Sequence, residues 1–218
     1  MTKKTATTTA TKKKTATKKK TAASSSTKAA SSTTETQKRV IAAARRVLAQ
    51  NPGATVDDIV RVSGVSRATF FRAYSGRTDL LRAVATAAFE DVDAALAVAL
   101  APLTQHGAAA PVSTRLSALI AALVAEGENL RFLVTAVELY EDPAITAAAA
   151  AVDVRIHPII DDAVAAGVLR ADLPRSWLWA AADALVFAAW HEVSVGRLDR
   201  ADAARVVEET LLSGFGRR

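Results

Sequence analysis

The chain has 218 residues, half of them hydrophobic, with 28 Lys and Arg against 22 Asp and Glu, and no cysteine. That length suits one or two domains with a sizeable core, and the missing cysteine excludes disulfides and thiolate metal sites, which fits a reducing compartment. No stretch approaches the ~18 apolar residues of a membrane span and the basic N-terminus has no apolar secretory segment, so a soluble, cytoplasmic protein is expected.

The net charge of +6 divides unevenly. Residues 1–34 hold nine Lys and no acid, residues 35–82 nine basic and four acidic groups, and residues 83–218 ten Arg against 18 acids. Such asymmetry points to a nucleic-acid-binding end joined to an acidic body. Residues 1–34 are low complexity, with the hexapeptide TKKKTA at Thr11–Ala16 and again at Thr17–Ala22, and no aromatic or branched aliphatic side chain. Such a segment buries too little apolar area to offset its ordering entropy. It is predicted to be a disordered cationic tail drawn to phosphates; its bland alternative is a solubilising leader.

From Glu35 the pattern is helical. Val40, Ile41, Ala44, Val47 and Leu48 form one stripe, stopped by Asn51-Pro52-Gly53. Thr55-Val-Asp-Asp58 reads as an N-cap with an acid at the third helical position, Ser63-Gly64-Val65 as a short turn, and Ser66 as the cap of a second short helix reaching about Tyr74. A long helix follows from about Thr78 to Leu100. Helical periods recur near 112–125, 128–140, 143–166, 174–195 and 199–213, with Pro158 expected to kink the third of these. No segment alternates convincingly as a strand. The predicted fold is all-α.

Two short helices joined by a Gly-containing turn, the second bearing Arg67 and Arg72, form a helix-turn-helix pattern. In such a pair the first helix braces the second, whose N-terminal side chains reach base edges in the major groove while amides and hydroxyls hold phosphate.

The run Thr55-Val-Asp-Asp-Ile59, Ser63-Gly-Val-Ser-Arg-Ala-Thr-Phe-Phe-Arg-Ala-Tyr74 and Arg77-Thr-Asp-Leu-Leu81 resembles the DNA-binding domain of the TetR family of transcriptional regulators. A looser likeness spans Ala165–Phe215, in Ala-Ala-Gly-Val-Leu-Arg170, Ala189-Trp190 and Gly196-Arg-Leu198. The resemblance implies a homodimer on a pseudo-palindromic operator of double-stranded DNA, usually a repressor, released by a small-molecule effector in its C-terminal domain. It assigns Thr55, Ser66, Thr69 and Arg77 to phosphate or backbone contacts and Arg67, Ala68 and Arg72 to base readout. Two positions depart from the family pattern: Phe71 replaces a Tyr that often binds phosphate, and Ala73 replaces a frequent His. The expected organisation is a tail at 1–34, a helix-turn-helix domain at 35–82, and a ligand-binding and dimerisation domain at 83–218.

No enzyme is expected. The sequence has no G-x-S-x-G, G-x-G-x-x-G or P-loop, no Lys after Lys38, and His106, His157 and His191 stand apart without metal-ligand spacing. Neither a metal nor another cofactor is expected. Glu138, Tyr140, Asp153, His157, Trp179 and Asp183 interrupt Ala/Leu/Val-rich helices and are candidate ligand residues, each more simply read as core or interface. Trp177, Leu178, Leu185, Phe187 and Trp190, with Val207 and Leu211 on the last helix, form the expected dimer face, because residues 174–195 are apolar almost all round. Two other readings remain open: an architectural DNA-coating protein driven by its Lys-rich tail, and a helical ligand-binding protein whose DNA binding has decayed.

Overall fold

The computed structural model describes residues 34–103, 110–134, 136, 139 and 141–215. Residues 1–33 of the predicted tail and the candidate ligand residues Glu138 and Tyr140 lie outside that set. Eight α-helices and no β-strand occur among the described residues: α1 (34–50), α2 (Val56–Ser63), α3 (Arg67–Ala73), α4 (Arg77–Leu100), α5 (Val112–Glu126), α6 (Pro143–Ala165), α7 (Arg175–Ser194) and α8 (Arg200–Phe215).

Two apolar clusters organise them. Val40, Ala44 and Leu48 of α1 pack with Ile59 of α2, Phe70 of α3 and Leu80, Leu81 and Val84 at the start of α4; Phe132, Leu139 and Ile145 join this cluster from further along the chain. Val92 and Leu96, two turns further along α4, belong instead to the larger cluster built on α5, α6, α7 and α8. Phe89 touches both. One continuous helix therefore carries both cores.

Where the helix expected over 128–140 would begin, 3-10 turns run at Gly127–Asn129 and Arg131–Val134 instead. The cause is distant in sequence. Trp190 Nε1 donates to the Val124 carbonyl at 2.9 Å, using one of the acceptors that α5 leaves free at its C-terminus, and the indole lies so close over Gly127 that any Cβ there would overlap it. The expected dimer face also needs correction. Leu178, Trp190, Val207 and Leu211 are at most 7% exposed within a single chain, because the core side of α7 closes on α5 and α8. They form subunit core. Of the expected face, Trp177 is 56% exposed, and Leu185 and Phe187 are half-buried.

α6 continues through Pro158 as one helix and reaches the length and hydropathy of a membrane span, contrary to the expectation that no stretch would. It nonetheless pairs Arg155 with Asp93 of α4 and lays Val152, Ile156 and Ile160 into the core.

Candidate nucleic-acid interface

The helix-turn-helix is fixed by short-range hydrogen bonds. The Thr55 hydroxyl accepts the Asp58 N–H at 3.2 Å, and the Asp58 carboxylate accepts both the Thr55 N–H at 3.0 Å and the Thr55 hydroxyl at 2.7 Å. This reciprocal cap starts α2. The Thr55 hydroxyl and then its N–H, with Arg61 behind them, hold the Asp58 carboxyl below its ordinary range. Gly64 ends α2 at φ +66°, a left-handed conformation costly for other residues. Arg39 of α1 reaches over and donates to the Ser63 carbonyl at 3.1 Å, tying the turn to the first helix.

α3 starts on Ser66, whose hydroxyl accepts the Thr69 N–H at 3.1 Å and shares a 2.8 Å hydrogen bond with the Thr69 hydroxyl. Two hydroxyl protons serve one mutual bond, so one remains for a phosphate. Phe70 is the anchor of α3. It is fully buried, edge-on to Phe71 and 5.5 Å from the Tyr74 ring. That anchor turns Arg67, Ala68, Phe71 and Arg72 to solvent.

The two arginines differ. Arg67 pairs with Asp57 of α2 at 2.6 Å, and its guanidinium carbon lies 5.5 Å from the Phe71 ring centre. Arg72 is exposed and has no ion pair among the described residues. Phe71, where the family often carries a Tyr, thus supports a base-reading candidate. Burial, and then the negative charge of Asp79, push the Tyr74 hydroxyl pKa up; that hydroxyl has no hydrogen-bond partner among the described residues.

Arg77, expected as a phosphate contact, braces the fold from within. Its Nη2 donates to the Pro52 carbonyl at 2.9 Å and its Nε to the Ala54 carbonyl at 3.3 Å, bracing the α1–α2 connection from the first turn of α4. Thr55 is likewise engaged by its own cap. The bracing roles of Arg39 and Arg77 escape a sequence reading, since each reaches carbonyls more than 20 residues away and no local pattern marks such a pairing.

In the body, four of the candidate ligand residues meet where α6 and α7 run together. The His157 and Trp179 rings lie edge-on at 6.4 Å. Burial, and then the charge of Asp153, raise the Asp183 carboxyl above its ordinary value. Two acids there stand beside an aromatic pair.

Residues 40–84 match the sequence model of the bacterial regulatory proteins of the tetR family. The chain is a DNA-binding regulator whose residues 40–84 form a tetR-family domain. It is 27% identical over 184 residues to the HTH-type transcriptional repressor LfrR of Mycolicibacterium smegmatis, an alignment covering 83% of the regulator and 90% of LfrR. The crystal structure of LfrR from Mycobacterium smegmatis in complex with proflavine superposes with a TM-score of 0.66 over 84% of the regulator and 97% of that chain, also at 27% identity. A TetR-family regulator structure from Rhodococcus sp. gives a TM-score of 0.65 at 19% identity, covering 83% and 98% of the two chains, and shares the fold.

Proposed function

We propose that this regulator is a cytoplasmic, non-catalytic repressor that binds a pseudo-palindromic operator as a homodimer and is released by a small effector. The carrying observation is α3. It is a short helix locked by Phe70 beneath and Ser66 at its start, with Arg67, Ala68 and Arg72 on its open face, the arrangement that a major groove accepts. One hydroxyl of the Ser66–Thr69 pair serves as a phosphate donor in this reading, whereas Thr55 and Arg77 are structural. Residues 35–82 form the reading domain and 83–218 the sensing and pairing domain. Repression and effector release are supported by the likeness to LfrR, a repressor whose structure holds proflavine. The α6–α7 group of Asp153, His157, Trp179 and Asp183 is the proposed effector surface, and its two acids favour a cationic effector.

Selection from a random duplex pool with the full chain tests the operator claim, and an enriched palindrome is the expected result. Tight binding without enrichment identifies an architectural protein instead. Deleting residues 2–34 adds a second readout, because nine Lys that neutralise phosphates release condensed counterions. The truncated chain is expected to bind all sequences more weakly and with a flatter salt dependence while keeping its operator preference. An unchanged salt slope removes the tail from the DNA interface.

A further inference from the structure

The open face of α3 holds more than its arginines. Arg67, Ala68, Phe71 and Arg72 are all exposed, and at ~100° of turn per residue Phe71 and Ala68 fall between the two arginines around the helix. Phe71 is 45% exposed. Its ring is nonetheless held in one place. The buried Phe70 meets it edge-on with ring centres 5.2 Å apart, and the Arg67 guanidinium carbon lies 5.5 Å from its centre. Asp57 holds that arginine in turn at 2.6 Å. The helix therefore presents a small, fixed apolar strip between two cations.

Covering the ring is favourable, and its surroundings decide what covers it. Residues 35–82 carry nine basic against four acidic groups, and Arg67 and Arg72 border the strip, so its partner is a polyanion rather than an apolar protein surface. A phenyl ring has no charge and no hydrogen-bonding atom, so it holds neither a phosphate nor a polar base edge. The apolar group that base pairs present in the major groove is the C5-methyl of thymine. Building on the operator reading above, we infer that Phe71 is a base reader in its own right and specifies a thymine through that methyl. Ala68 beside it is small enough to let the base approach the ring. Phe in place of the family's frequent Tyr exchanges a phosphate contact, which is blind to sequence, for one that reads it.

The test uses the full chain, a palindrome that it enriches from a random duplex pool, and copies in which each thymine in turn is replaced by deoxyuridine. Uracil lacks only the 5-methyl and keeps every hydrogen-bonding edge. At one symmetric pair of thymines, uracil is expected to weaken binding by about fourfold per half-site, the worth of one buried methyl carbon. Phe71→Ala is expected to bring that thymine-over-uracil ratio close to one, while Phe71→Leu, which keeps a large apolar side chain, retains it. The ratio is read within each variant, so a general loss of folding or affinity cancels. If Phe71 only holds Arg67 in place, Phe71→Ala loses discrimination at guanines and leaves the ratio unchanged, which overturns Phe71 as a reader. An enriched palindrome in which the parent chain is indifferent to uracil at every thymine also overturns it, with the operator reading intact. A pool that yields no palindrome overturns the operator reading and the thymine contact together.

Discussion

Arg67 and Arg72 occupy the same open face of α3 under different constraints, and the difference governs how each can read a base. Arg67 is held by Asp57, but both partners are well exposed, so releasing it costs no more than ~1 kcal/mol. Arg72 has no such hold. A bidentate arginine–guanine pair discriminates between bases by about 1–3 kcal/mol. Arg67→Ala and Arg72→Ala are each expected to relax preference at one symmetric pair of operator positions by that amount, measured against single-base operator variants. A uniform loss across all variants identifies the arginine as a phosphate contact. Both residues were legible in the sequence, since their positions follow from the Ser66 cap by helical spacing alone. Arg77 was not, because its carbonyl partners at Pro52 and Ala54 lie in an earlier connection that only the folded chain brings near.

Among the elements, those whose ends are set locally are the ones a sequence reveals. α2 and α3 are bounded by Thr55, Gly64 and Ser66, each acting on residues at most three positions away, and the predicted boundaries agree with the folded ones to about a residue. The stretch after α5 has apolar residues at helical spacing, yet Trp190, 66 residues beyond its acceptor at Val124, occupies the space that side chains of a continued helix would need. Gly127 is the residue that permits this contact. Gly127→Ala is expected to drive a methyl into the indole and destabilise the fold by about 1–3 kcal/mol, the usual cost of overpacking. Trp190→Phe, which leaves the Val124 carbonyl without its donor, is expected to cost a comparable ~1–3 kcal/mol. Urea unfolding measures both, and a Gly127→Ala protein as stable as the parent rejects the steric account.

At the scale of the whole molecule, half-sites in successive major grooves demand two reading heads about 34 Å apart, which requires a two-fold pair of subunits. The buried side of α7 is taken up within the subunit, so the pairing proposed above is assigned to its other side. There Trp177, Ala180, Ala184 and Ala188 follow one another at helical spacing, all exposed, with Val195 45% exposed beyond them. Small residues along a helix let a second helix approach closely, and a large exposed indole at one end is an anchor of the kind that dominates interface energies. The fully apolar character of residues 174–195 was legible in the sequence. Which side served the core was not, because it depends on where α5 and α8 pack. The two sides predict opposite outcomes for one chemical change. Leu211→Glu places an unpaired charge in the subunit core and is expected to unfold the protein. Trp177→Glu, alone or with Ala184→Glu, leaves every core contact in place and is expected to give a folded monomer with native helix content that has lost operator binding. Sedimentation and circular dichroism of the three variants distinguish these outcomes. A Trp177→Glu, Ala184→Glu protein that remains a dimer moves the interface off this face of α7, and a wild type that sediments as a 22.8 kDa monomer at micromolar concentration removes the dimer altogether.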